Sequence, residues 1–357
     1  MKKFGTLIML FISLTVSAQS DYDIAQEFMS KKGIILKDNS RTRSLDKKKP
    51  YSIFNGKNNK GFVIVMNGRV VGYDTGNSAN EDDIPSEFVS FLKQRTRTST
   101  VERVVDPINP KLKIKWNQCS PYNDSLFGQT NICFILAQAA VLHYHKANYY
   151  VEKKGFEFSG VPMHLVPTIF DHELIDNKGA DGWAEETAKF IKYSSLGTPW
   201  NRKPEEFKEI FGVEFYYAEH LDCNKSLYNV FDWLLERDCP IEVYAKNHGY
   251  VVDGRDSEGK YHVNFGWGGA CDGYYVFPDT KNDVDTESLD DYDHINNLKY
   301  VIGYVKPDTN EALSIDSNSY IHSNRNTVYN LQGVKVGYSL EGLPKGVYIQ
   351  GGKKYVK

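Results

Sequence analysis

The chain has 357 residues, enough for two or three domains, and sets 43 Lys and Arg against 46 Asp and Glu for a net charge of −3. That balance leaves no basic footprint for nucleic acid and none for an anionic membrane surface. Five cysteines is an odd count; outside the cytoplasm it fits one free reactive thiol plus up to two disulfides.

Residues 1–18, MKKFGTLIMLFISLTVSA, place Lys2 and Lys3 before an apolar core and Val16-Ser17-Ala18 after it. This pattern reads as a secretory signal peptide, too short for a membrane span. No Cys follows the cleavage position, and no later stretch is long and apolar enough to cross a bilayer. The expected location is secreted, periplasmic or at a bacterial cell surface. Residues 19–103 read as a separate unit. A helix is expected over Tyr22–Lys32, strands over Tyr51–Phe54, Gly61–Met66 and Arg69–Tyr73, and a second helix over Ile84–Gln94 after the acidic Glu81-Asp82-Asp83. Asn67-Gly68 supplies a hairpin turn between the second and third strands. Residues 94–100, QRTRTST, are polar and basic, as an exposed linker and cleavage region would be.

The stretch Trp116–His145, WNQCSPYNDSLFGQTNICFILAQAAVLHYH, carries the chain's most unusual feature. A turn-rich loop gives way at Asn131 to an apolar run, Ile132–Leu142, without Gly or Pro. The run is too long for a typical strand and reads as a helix buried on most sides. Thr130 or Asn131 is the expected N-cap, which puts Cys133 in the first turn. There the free N–H groups and the positive end of the helix dipole stabilise a thiolate. The same position suits a buried structural thiol, so a partner has to decide.

Helices are expected over Gly182–Leu196 and Ser226–Arg237, whose apolar residues recur at helical spacing, and a strand over Pro240–Tyr244. Tyr250–Asp253 and Lys260–Phe265 read as two strands around a turn at Gly254–Gly259. Pairing Asp253 with Lys260 sets Gly249 opposite Asn264 and makes His248 and Asn264 neighbours across the ladder. Asn264 would then hold the His248 imidazole in one tautomer. From Asp308 to Ser319 the chain is a polar linker. From Tyr320 onward it alternates as short strands; this ending resembles the short β-rich tails that direct secretion in some bacteria, and a small accessory β-module or a disordered tail is the alternative.

At these residues the chain resembles a known family, the streptopain-like (streptopain/interpain) cysteine peptidases of the papain clan. The resemblance rests on WNQxxPYN at Trp116–Asn123, the Cys-bearing helix ending in Tyr144–His145, HxxVxDG at His248–Gly254, and HVNxGWGG at His262–Gly269. It implies Cys133 as nucleophile and His248 as general base and acid. Gln118 would be the side-chain oxyanion donor beside the Cys133 N–H, with Asn264 and Trp267 orienting and shielding the His. The run YSIFN…GFVIV…VVGYDTGN…DDIPSEFVSFL resembles the family's propeptide, which blocks the cleft in the zymogen. Ile132, Phe134 and Phe265 depart from the family pattern, which keeps open a catalytically impaired binding protein.

There is no GxSxG elbow, Walker loop, GxGxxG or HExxH. His143 and His145 lie two apart on a helix and point to opposite sides, and the cysteines lack CxxC spacing; neither a cofactor nor a metal is expected. The expected fold is α+β: a papain-like two-part peptidase, with a central Cys-bearing helix packed on an antiparallel sheet. Its expected organisation is signal peptide 1–18, inhibitory propeptide 19–103, peptidase 104–307, and linker with β-rich module 308–357. Its expected partners are protein or peptide substrates and its own propeptide.

Overall fold

The computed structural model describes residues 19–37, 51–79, 84–93, 103–158, 161–196, 204–219, 226–244, 248–278, 300–305, 328–330, 335–337, 340, 342–350 and 353–357. The signal-peptide reading of residues 1–18 lies outside them, as does the linker read over 94–100. The chain divides into two compact units, residues 1–304 and 305–357.

In the first unit a nine-stranded sheet holds everything else in place. Its order is β1 (Tyr51–Asn55), β2 (Phe62–Met66), β3 (Arg69–Asp74), β10 (Gly273–Tyr275), β9 (Tyr261–Asn264), β8 (Gly249–Arg255), β7 (Ile241–Tyr244), β11 (Tyr300–Val305) and β6 (Glu214–Glu219). β1–β3 form the expected meander, closed at Asn67-Gly68 with both residues at positive φ (52° and 71°), as a two-residue hairpin turn requires. The meander does not stand apart, because β3 pairs antiparallel with β10, Tyr73 opposite Tyr274 and Gly72 opposite Tyr275. Helix α1 (Asp21–Lys31) begins at a Ser20–Asp23 capping box, which satisfies two of the free N-terminal donors. It buries Ala25 and Met29 against Val63, Val65 and Tyr73. A second helix, α2, runs over Ser86–Lys93.

Helix α3 (Cys133–Tyr144) lies against β8, β7 and α5 (Trp183–Ser194). Nine of its twelve residues are buried, which is why its sequence is apolar on every face. Around it a core forms from Trp116, Tyr122, Leu126, Phe170, Phe190 and Ile191. Ser226 caps α7 (Leu227–Leu235) by accepting the Asn229 N–H at 3.2 Å. Between α3 and α7 lie a hairpin, β4 (Lys153–Phe158) with β5 (Val161–Leu165), and two further helices, α4 (His172–Asp176) and α6 (Pro204–Phe211). The architecture is α+β, helices on an antiparallel sheet, as expected. In the second unit β12 (Val328–Asn330), β13 (Lys335–Gly337), β14 (Val347–Gln350) and β15 (Lys353–Val356) make a separate sheet in the order β13-β12-β14-β15.

Candidate active site

Cys133 is the first helical residue of α3. The cap differs from expectation: Ile132 occupies the N-cap position without any side-chain cap, and Thr130 and Asn131 are exposed beyond it. The Gln118 side chain reaches the helix start from the preceding loop instead, its Oε1 accepting the Ile132 N–H at 3.2 Å. Bound that way, the Gln118 amide turns its Nε2 donor elsewhere, and Nε2 finds no partner among the described residues. The Cys133 thiol is buried. Burial pushes its pKa up, while the backbone N–H groups of Gly249 and Phe134 pull it down; the net direction is up.

Gly249 explains how a strand comes so near this thiol. A Cβ there would lie 2.7 Å from Phe134 Cδ1 and 2.9 Å from Phe134 Cα, so only glycine lets β8 start flush against the first turn of α3. The residue before it, His248, is thereby delivered to the same corner. His248 is 3% exposed, and its Nε2 lies 3.1 Å from the Phe265 carbonyl oxygen. A carbonyl only accepts, so Nε2 carries the proton and Nδ1 is the basic nitrogen. Trp267 stacks on the imidazole with ring centroids 4.7 Å apart at 25°. Burial pushes the His248 pKa down to about 4, against the Phe265 carbonyl and the Glu87 carboxylate, which act to raise it.

Asn264 corrects the sequence reading. It faces Val251 rather than Gly249, and a bulge interrupts the β8–β9 register between Val252 and Gly254. The turn is tighter and later than expected because the Asp256 carboxylate accepts the N–H groups of both Glu258 (3.0 Å) and Lys260 (2.8 Å). Gly254 and Arg255 stay in the strand because the segment 105–111 lies along it. Ile108 and Arg255 exchange backbone hydrogen bonds at 2.8 and 2.9 Å, and a Gly254 Cβ would sit 2.8 Å from the Ile108 oxygen. The extra residue, Asp253, turns its carboxylate inward to His262 Nδ1 (2.6 Å) and the Leu112 N–H (2.8 Å). Asn264 consequently donates to the Ile114 carbonyl (3.1 Å) and accepts the Gly266 N–H (3.1 Å). It fastens a loop, and the imidazole partner is a backbone carbonyl.

Helix α2 lies beside this corner. Its Glu87 carboxylate acts electrostatically on both Cys133 and His248. Phe88, fully buried, meets Phe265 edge-on at 5.4 Å and Trp267 at 6.2 Å, and Phe91 meets Phe265 at 5.0 Å. The three bulky departures sit differently from one another: Ile132 and Phe265 are buried, while Phe134 is half-buried against Gly249.

Sequence reasoning missed Gly249, the Phe265 carbonyl and Asp272; only Asp272 left a signal, as an acid in the apolar run Ala270–Val276. His143 turns to partners from a short helix the sequence did not announce, His172 Nδ1 at 2.9 Å and Asp176 Oδ1 at 2.8 Å. Among the described residues no cluster suits a metal ion. Cys119, Cys133, Cys239 and Cys271 are free thiols, so no disulfide joins described residues, and Cys223 lies outside them.

A family model, the Peptidase C10 family, matches residues 182–275, a span that includes His248, Asn264, Trp267 and Asp272 but neither Cys133 nor Gln118. Streptopain from Streptococcus pyogenes is 25% identical over 284 residues, covering 60% of this chain and 71% of that protein; streptopain of serotype M1 aligns to the same extent. Among solved structures, prointerpain A of Prevotella intermedia shares the fold with a TM-score of 0.51 and 18% identity, covering 72% of this chain and 96% of that one.

Proposed function

We propose that the chain is a streptopain/interpain-like cysteine-type peptidase, made as a secreted zymogen whose working pair is Cys133 and His248. The observation that carries the reading is the fit of Gly249 against Phe134, which brings the His-bearing strand onto the N-terminus of the Cys-bearing helix. In the reaction His248 Nδ1 takes the thiol proton, and the Cys133 thiolate attacks a peptide carbonyl. The oxyanion is held by the Cys133 N–H and by Gln118 Nε2, the one amide donor its contact with Ile132 leaves unspent. The imidazolium, kept oriented by the Phe265 carbonyl and Trp267, protonates the leaving amine, and water then hydrolyses the acyl-enzyme.

Residues 19–93 serve as an intramolecular inhibitor. Burial raises the Cys133 pKa and lowers that of His248, so under α2 the pair stays neutral and the attacking thiolate is withheld. The mature enzyme begins before Arg103 on this reading. That side chain donates to Tyr261 Oη (3.0 Å), pairs with Asp232 and stacks on the Tyr228 ring at 4.3 Å, and residues 105–111 line β8. A binding protein without activity is the weaker reading, since Ile132 and Phe265 are buried rather than standing in a cleft.

The test is self-processing of the chain from residue 19 under reducing conditions, beside Cys133→Ala. The expected result is conversion of the Cys133 form alone, to a species beginning between residues 94 and 103. If both forms stay whole, and after added protease removes residues 19–93 an alkylator still labels Cys133 no faster than in the unfolded chain, the peptidase assignment of these residues is wrong.

A further inference from the structure

The imidazole is oriented by a backbone carbonyl, which raises the question of what holds that carbonyl. Phe265 lies at the end of β9, where the chain leaves the sheet for the loop 265–272. Its N–H donates to Asp272 Oδ1 at 2.9 Å, and its carbonyl oxygen faces His248 Nε2 at 3.1 Å. Asp272 closes the same loop, 3% exposed, with its own N–H given to the Gly269 carbonyl at 3.3 Å. Further hydrogen bonds pin the loop, among them Gly266 N–H to Asn264 Oδ1, Gly268 N–H to the Trp116 carbonyl at 2.8 Å and Ala270 N–H to the Trp267 carbonyl at 3.2 Å. The bond to Asp272 is the one that reaches Phe265, whose carbonyl faces the imidazole. The same residue backs the shield, since the Phe265 and Trp267 rings stack at 4.8 Å and 5°.

A carboxylate is a costly choice for a buried loop closure that an amide or a hydroxyl could make. Among the described residues no cation forms an ion pair with it, and His262 is already paired with Asp253 at 2.6 Å. We propose that Asp272 is a positioning residue for catalysis, holding the Phe265 backbone so that its carbonyl fixes the His248 imidazole and its ring seats Trp267. The proposal rests on Cys133 and His248 being the working pair.

The placement makes the hold pH-dependent. Burial raises the Asp272 pKa to about 7, opposed by the Phe265 N–H, His262 and Lys115 and reinforced by Asp253; Asp74 on β3 acts on His262 in turn. Above that value the carboxylate makes a charge-assisted bond to Phe265, and below it only a neutral one. The imidazole is therefore held more firmly as pH rises through neutrality.

The experiment compares wild type, Asp272→Ala and Asp272→Asn after processing, with added protease where self-processing fails, so that α2 no longer covers Cys133. It reads Cys133 alkylation by iodoacetamide from about pH 5 to 9, the span in which such groups titrate, alongside thermal melting. Peptide hydrolysis by the processed proteins is the second readout. Alkylation reports the Cys133–His248 pair without turnover, so a wild type that alkylates but hydrolyses no peptide would refute the peptidase reading and still leave Asp272 tested. Asp272→Ala should react roughly tenfold to a hundredfold more slowly, the loss of one charge-assisted bond expressed as a rate. Asp272→Asn keeps an acceptor for the Phe265 N–H. It should recover most of the rate but lose the step near neutral pH that the wild type shows. A folded Asp272→Ala protein alkylated like wild type at every pH would overturn the proposal. So would an Asp272→Asn profile that keeps the neutral step.

Discussion

Acid should lift α2 from the site, and His248 sets the size of the effect. Under the helix its pKa is about 4, against an ordinary 6.5. An uncovered imidazole has the ordinary value, so between these limits the open state binds more protons than the covered one. Cover stability is complete above the ordinary value and falls as pH drops towards about 4. From about pH 7.5 to pH 5 the loss is roughly 2 kcal/mol, about a thirtyfold rise in the fraction open. Hydrogen exchange of the α2 amides in the Cys133→Ala chain, corrected for intrinsic rates, measures that fraction without self-processing. His143 is also pushed down to about 4, chiefly by burial, so the whole fold loses stability in the same window. Cys133→Ala/His248→Gln keeps that shared component and removes the specific one. The reasoning is refuted if the double variant opens with the same pH response, or if the parent changes less than about threefold.

The aromatic contact of α2 gives a second expectation. Phe88→Ala removes a buried ring from Phe265, Trp267 and Tyr275, a truncation worth about 3–5 kcal/mol. The full chain should then alkylate at Cys133 at neutral pH at least roughly tenfold faster than wild type; an unchanged rate would show that Phe88 does not hold the cover. Gln118→Ala should lower kcat of the processed enzyme about a hundredfold to a thousandfold. It should leave Cys133 alkylation nearly unchanged, because no oxyanion forms in that reaction. Equal loss in both assays would mean that Gln118 acts by holding Ile132 and the helix start.

What the sequence determined was local. An apolar run without Gly or Pro dictated a buried helix with Cys133 in its first turn, and Asn67-Gly68 dictated the β2–β3 hairpin, because chain length, periodicity and turn chemistry act between near neighbours. The short helix His172–Asp176 escaped notice because five residues carry too little periodicity. What only the tertiary structure decided was register and partnership. Asn264 was expected on His248, but the Asp256-closed turn, the Asp253 bulge and the 105–111 segment along β8 together moved it opposite Val251. The partner of Asn264 thus moved two positions along β8, out of reach of His248, and residues more than a hundred positions away supplied contacts that set it. The same holds for Gly249, whose missing side chain matters only because Phe134 is there. It holds again for His248, whose partner is a main-chain carbonyl that no side-chain pattern can announce. Side-chain identity names the reacting groups; which groups face them depends on distant chain brought close by folding.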